Sequence, residues 1–226
     1  ITPHFSCQIA RIEQDNASHW QVIDSNDRVI AKAPILILAN AADARRLTGD
    51  WLPLRAARGQ VTHFPAAPAS APQTVVCRLG YVSPAIDGVR CAGATFTVRD
   101  DDAALRHTDQ QENLAKLDFI LPNYTQQFAG LPLAGRVGFR PVSPDRLPII
   151  GPVTRVGDTD SIRGLWIVDG FGARGLVWSA LAGELLASQI NAEPLPLEKE
   201  LADALSPQRF LDKPKYQRKI KTNPSV

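Results

Sequence analysis

Apolar and polar positions alternate over the first forty residues in a way that predicts a meander. Phe5–Glu13 alternates, His19–Asp24 does so around Trp20 and Val22, and Val29–Lys32 follows a turn signal at Ser25-Asn26-Asp27. The pattern then changes. Ile35-Leu36-Ile37-Leu38-Ala39 is an unbroken apolar run, which predicts a strand buried on both faces of a parallel sheet, and Ala41–Leu47 predicts a short helix.

Short strands are predicted in the middle of the chain at Val61–Phe64, Thr74–Arg78, Tyr81–Ser83 and Val89–Ala92. Pro65 to Pro72 is an Ala/Pro loop, and Asp87-Gly88 is a hairpin turn signal. Asp109–Leu121 reads as a helix with Leu114, Leu117, Ile120 and Leu121 on one side, stopped by Pro122. Strand character returns at Gly135–Arg140 and Leu147–Ile150. Leu165-Trp166-Ile167-Val168 predicts a further buried strand that runs into Asp169-Gly170-Phe171-Gly172-Ala173-Arg174-Gly175 and then a helix from Leu176 to Ile190. There is no internal repeat.

Composition changes this picture little. With 226 residues, 44% of them hydrophobic and 21% charged, the chain can bury one large core or two small ones. A net charge of +2 excludes a global field that would drive it onto nucleic acid or membrane. Cys7, Cys77 and Cys91 are an odd count without a CxxC pair, which argues against a disulfide framework or a zinc site. Cys77 and Cys91 are expected to be small buried apolar groups. His4, His19, His63 and His107 have no metal-ligand spacing, so no metal is expected. The apolar runs are too short to span a bilayer and the amino end carries no secretory pattern, so the expected location is the cytoplasm. The chain starts at Ile1 and holds no methionine, as expected of a piece of a longer protein.

Three segments carry candidate chemistry. Gly170 to Gly175 lies between a strand and a helix, where glycines allow close backbone approach and the first helical amides are free donors at the positive end of the dipole. A tight turn without a ligand is the alternative. Arg140 stands where a strand meets the proline-stiffened Pro141-Val142-Ser143-Pro144-Asp145, and could grip a carboxylate with two parallel hydrogen bonds or simply pair with Asp145 or another acidic residue and shape the loop. Arg58-Gly59-Gln60 opens a strand, with only its glycine hinting at function. Tyr81 beside Gly80 could reach a pocket or pack within its strand, and Asp100-Asp101-Asp102 reads as a solvated turn.

In their order, these segments resemble the D-amino-acid oxidase superfamily, which includes glycine and sarcosine oxidases. The resemblance runs through Ile35–Ala42, Arg58-Gly59-Gln60-Val61, Gly80-Tyr81-Val82-Ser83-Pro84 with Gly93-Ala94-Thr95, Arg136–Pro152 and Gly164–Ala187. Within the superfamily the chain looks most like the carboxy-terminal oxidoreductase part of bacterial bifunctional enzymes of wobble-uridine tRNA modification. Pro194–Glu198, Ala204–Phe210 and a basic tail tip that choice.

The resemblance implies an α+β fold. A remnant of an FAD-binding α/β domain (1–55 and 160–195) would join a substrate domain with a mostly antiparallel sheet (56–159), followed by a C-terminal helix and basic tail (196–226). It implies FAD as cofactor and oxidative removal of a carboxymethyl group from an amine on the tRNA wobble uridine, with glyoxylate released. A fused amino-terminal methyltransferase domain using S-adenosylmethionine would lie outside this chain. Arg140 would hold the carboxylate, assisted by Tyr81 and Arg174. Gly172, Ala173, Arg174, Gly175 and Leu176 would border the flavin's pyrimidine edge, Gly59 and Gln60 the ring, and Ala39 and Ala41 the adenosine part.

One departure from the superfamily is that the GxGxxG fingerprint, with an acid about twenty positions on, is absent. The chain alone is therefore expected to bind FAD weakly or not at all. Oxidation of free glycine, sarcosine or another small amino acid, and a non-catalytic binding module, are the other readings. Lys213, Lys215, Arg218, Lys219 and Lys221 are either contacts to tRNA phosphates or a solubilising tail.

Overall fold

The computed structural model describes residues 2–66, 72–157 and 160–212. The basic tail, and the part of the Ala/Pro loop from 67 to 71, lie outside these described residues. The chain divides into two compact units, the first made of 1–55 and 141–226, the second of 56–140.

The first unit opens with the meander: β1 (Ile9–Gln14), β2 (Trp20–Asp24) and β3 (Val29–Ala33) pair in sequence order, all antiparallel. The turn between β2 and β3 is fixed by Asp24, whose Oδ1 accepts from the amides of Asn26 and Arg28 at 2.8 and 2.9 Å. Next come β4 (Leu36–Leu38), a single 3-10 turn at Ala41–Asp43 and the four-residue α1 (Ala44–Leu47).

The second unit is a sheet with a helix packed on it. Its strands are β5 (Arg55–Pro65), β6 (Val76–Arg78), β7 (Gly80–Val82), β8 (Val89–Gly93), β9 (Thr97–Val98) and β10 (Ala134–Val142), and its helix is α2 (His107–Ile120). The sheet order is β10-β5-β8-β7-β6, with β9 pairing to β5. The hairpin before β8 uses Asp87 and Gly88, both at positive φ, as the Asp-Gly signal requires. Phe64, Val82, Ala92, Leu117, Tyr124 and Phe128 form the apolar core. The face of α2 that is fully buried is mixed, however: Gln110, Asn113 and Leu117. Asn113 donates to the carbonyl of Gln60 at 2.9 Å and Gln110 to that of Ala134 at 3.0 Å. The Nδ2 of Asn113 and the Nε2 of Gln110 thus find acceptors inside the unit, the Asn113 Oδ1 stays buried without a partner, and Leu114 and Ile120 are half-buried.

The chain then returns to the first unit with β11 (Ile149–Thr154), β12 (Ser161–Asp169), α3 (Gly175–Asn191), α4 (Lys199–Leu205) and α5 (Arg209–Asp212). Residues 141–159, expected with the middle of the chain, belong here because β11 pairs antiparallel with β12 from Ile149↔Asp169 onward. β12 in turn pairs parallel with β4, with Ile167 opposite Leu38. Contrary to the expectation of two buried faces, Ile35 and Ile37 are 41% and 43% exposed. The physical reason is that only one face of the strand is covered: Leu36 and Leu38 turn into the core, while the alternate Ile35 and Ile37 point to the other face, which is open among the described residues. Cys77, likewise expected to be buried, is exposed, since on β6 it is the neighbouring Val76 that packs against the core and Cys77 points to the opposite face.

α5 is locked by Arg209, which is 5% exposed. Its guanidinium donates to both carboxylate oxygens of Asp145 at 2.9 and 3.1 Å and to the carbonyls of Leu147, Leu205 and Ser206. Burial opposes the charge of Asp145, but Arg209 and the Leu147 amide outweigh it and hold the carboxyl below its usual range.

Candidate functional site

In the first unit β4 and β12 run parallel and end together, the place where open α/β sheets receive ligands. β12 ends at Asp169 and the glycine turn begins. Gly170 and Gly172 have φ of +75° and +58°, in the left-handed region that a side chain rarely adopts. The Gly172 amide donates to the Pro141 carbonyl at 2.8 Å, and the Arg174 amide to the Phe171 carbonyl at 3.1 Å. The first bond of α3 runs from the Trp178 amide to the Arg174 carbonyl at 3.1 Å. The amides of Gly175, Leu176 and Val177 have no acceptor within the helix by construction. No side chain caps them, and no acid stands in the first turn.

Beside those amides the surface is apolar. Leu176 is 96% and Val177 81% exposed. Arg174 is exposed and donates to the Arg146 carbonyl at 3.0 Å, and Ala173 is exposed. At the end of β4, Ala39 is exposed and Ala41 half-buried, the latter at φ +60°. A helix entrance with three unengaged donors and an apolar border suits the polarised edge of a flat ring or an anion.

Sequence reasoning quoted Asp169 in the motif without giving it a role. It is 2% exposed. Oδ1 accepts from the Gly170 amide at 2.6 Å, while Oδ2 is buried with no hydrogen-bond partner. Burial pushes the carboxyl up to about 6, although the amides of Gly170 and Ala41 favour the charged form. The signal available in the sequence was an acid at the end of an otherwise apolar strand.

The second unit gathers Arg140, Gly59, Tyr81, Thr95 and Phe96. The Arg140 guanidinium lies across Gly59 so closely that a Cβ there would overlap it. It lies 5.8 Å from the centre of the half-exposed Phe96 ring and approaches the Thr95 carbonyl at 3.5 Å. Among the described residues it has no carboxylate partner, and Asp145 is held by Arg209. Tyr81 is half-buried; burial raises its hydroxyl pKa, and the Arg140 charge works the other way.

Arg58 and Gln60 behave differently. Arg58 is fully buried, ion-paired to Asp109, and donates to the carbonyls of Asp102 and Ala104, both at 2.6 Å. The Gln60 side chain accepts from Arg58 at 3.2 Å and exchanges hydrogen bonds with the Arg106 backbone at 2.8 and 2.9 Å. Its amide and carbonyl are engaged too, by Thr95 and Asn113, and Gly59 is itself buried beneath the Arg140 guanidinium. Asp100 and Asp102 are not merely solvated: Arg106 pairs with both, and their carboxyls fall below the usual range through that pairing and local amides. No group of side chains among the described residues could hold a metal, and no described helix is long and apolar enough to cross a membrane.

Residues 2–189 match the family described as FAD dependent oxidoreductase. The tRNA 5-methylaminomethyl-2-thiouridine biosynthesis bifunctional protein MnmC of Aromatoleum aromaticum is 56% identical over 95% of this chain and 35% of its own length. Its namesake in Burkholderia mallei is 41% identical over 90% of this chain and 34% of its own. The chain thus spans about a third of the length of these relatives. Among solved structures, iminodiacetate oxidase from Chelativorans sp. BNC1 superposes with a TM-score of 0.66 at 26% identity, over 85% of this chain and 51% of that one. Glycine oxidase from Geobacillus kaustophilus gives 0.72 at 22% identity, over 89% and 52%, a likeness of fold.

Proposed function

Because this chain belongs to the family of FAD dependent oxidoreductases, we propose that it supplies part of the flavin site and the substrate-holding arginine of an enzyme that removes a carboxymethyl group from an amine on the tRNA wobble uridine. The whole enzyme would carry a methyltransferase domain as well, as the bifunctional name of the relatives indicates for them.

The observation that carries this reading is Arg140. A guanidinium with no carboxylate partner among the described residues, held against a glycine and facing an aromatic ring, would suit a planar anion. A carboxymethyl group offers that anion. Bidentate binding would fix the adjacent carbon, and such orientation is where an enzyme gains most over free reactants. Tyr81 is within electrostatic reach of the same charge and would help to orient the carboxylate.

The turn in the first unit fits the cofactor. Gly175, Leu176 and Val177 present three amides that would stabilise negative charge at the edge of a reduced ring, and the exposed Leu176 and Val177 side chains are surface for it to cover. Ala39 and Ala41 would border the remainder of the dinucleotide, and Arg174 would add charge beside the helix entrance. When bound, FAD supplies the two-electron acceptor for oxidation of the carbon–nitrogen bond.

Oxidation of a free small amino acid is the second reading, favoured by the likeness to iminodiacetate oxidase, whose named substrate is itself a secondary amine bearing carboxymethyl groups. The two separate in one experiment. The whole protein is supplied with tRNA bearing 5-carboxymethylaminomethyluridine, or with glycine, sarcosine or iminodiacetate, and glyoxylate is measured. Release from tRNA that Arg140→Ala abolishes supports the proposal. Release only from the small amines replaces it with the second reading, and no release from either sinks both.

A further inference from the structure

Resting on the substrate reading above, we propose that Phe96 is a stacking platform for the uracil ring that carries the carboxymethyl arm. The second unit would thereby select amines borne on a flat ring over free small ones. The arrangement around Arg140 carries the idea. Phe96 follows Thr95 in the loop between β8 and β9 and is 52% exposed. Val98, two residues on in β9, is 41% exposed. It pairs with Ala57 of β5, so by strand alternation it shares a face with Gly59, on which the Arg140 guanidinium lies. One exposed apolar side chain is ordinary. An exposed ring and an exposed valine beside an arginine that has no carboxylate partner among the described residues are a surface of another kind. A ligand with an anion at one end and a flat apolar body at the other would cover all three.

Reach agrees with this. The carboxyl carbon of a carboxymethylaminomethyl arm is four bonds from its ring, about 5 Å when extended. The Arg140 guanidinium carbon is 5.8 Å from the Phe96 centroid. A carboxylate gripped by Arg140 therefore leaves its own ring within contact range of Phe96. The other arginine–ring pair of this unit differs. Arg78 sits 4.4 Å from the Phe119 centroid, a stack that the unit makes with itself. Arg140 stands farther off and leaves Phe96 half open. Free glycine or sarcosine would fill Arg140 and leave Phe96 and Val98 in water. A nucleobase would cover the ring, and because such stacking tolerates any base, the arm on Arg140 would still choose the modified uridine.

The test is equilibrium binding to the whole protein of three thioethers, in which sulfur replaces the amine and leaves no amine to oxidise: (benzylthio)acetate, (cyclohexylmethylthio)acetate and (methylthio)acetate. Calorimetry gives their dissociation constants. The unmodified protein is expected to bind the benzyl compound about tenfold more tightly than either of the others, the size of one stack. Phe96→Ala should erase that preference and raise the KM for tRNA bearing 5-carboxymethylaminomethyluridine about tenfold, with a smaller change in kcat. Phe96→Trp should restore both, and Phe96→Leu, apolar but not flat, should restore neither. Equal affinity for the three thioethers in the unmodified protein overturns the proposal. So does a Phe96→Ala loss of the same size for all three, which would make the ring part of the fold. The comparison within the unmodified protein needs no variant, so misfolding cannot hide the answer. Binding of all three without a preference for the flat ring sinks this inference alone, whereas no binding of any of them sinks the reading of Arg140 beneath it.

Discussion

The second unit holds two arginines close in the fold of one sheet, and they could hardly be treated more differently. Arg58 is sealed in, with Asp109, two carbonyls and Gln60 accounting for its donors. Arg140 is half-buried, touches a glycine and a ring, and has no carboxylate among the described residues. The first unit repeats the contrast with Arg209, locked to Asp145, against the uncapped entrance of α3. Groups whose hydrogen-bonding capacity is met inside the chain maintain the fold. Those whose capacity is unmet are where a ligand can be recognised.

Mutations that should break this contrast rank by size. Arg58→Ala should cost the most, about 3–5 kcal/mol by urea denaturation, because it strands the Asp109 carboxylate and empties a buried site. Arg209→Ala should cost about 3 kcal/mol for the same reason at Asp145. Because the Asp145 pKa is lowered in the fold, its contribution is present above the unfolded value near 4 and is lost as pH falls through the folded one; acid unfolding should flatten in Arg209→Ala.

Arg140→Ala should invert the pattern. Its stability should change by less than about 0.5 kcal/mol, while turnover of a carboxymethylated substrate by the whole protein falls on the order of 10²-fold. A large stability loss with turnover unchanged would place Arg140 with Arg58. Asp169 has a raised pKa, so its contribution is full below about 4 and lost as pH rises through about 6. Asp169→Asn should accordingly stabilise the ligand-free protein by about 1–2 kcal/mol at pH 7.5 and not at pH 4, in parallel thermal melts. The smallest effect is expected of Gly59→Ala. The new methyl meets the movable end of Arg140, so the fold should survive while turnover drops about tenfold.

Much of this was legible in the residues. Period-two alternation announced β2 and β3, Asp87-Gly88 its hairpin, and the run from Leu165 into glycines the β12–α3 turn. The candidate arginine was visible because a strand, an arginine and a proline stood in a row. Less legible was everything that depends on which neighbours a side chain meets. The leucines and isoleucine marked one side of α2 in the sequence, but the fully buried positions include Gln110 and Asn113, whose partners come from β5 and β10, far along the chain. Ile35 and Ile37 read as doubly buried and lie on a face that is open among the described residues.

The sequence by itself determined the kinds and order of elements, because local periodicity, turn residues and glycine placement act within a few positions. Only the tertiary structure decided which polar groups are satisfied: that Asp145 belongs to Arg209 and not to Arg140, and that Asp169 keeps one oxygen buried without a partner. Satisfaction of a hydrogen bond is a property of two groups brought together by folding, and no single position along the chain carries it.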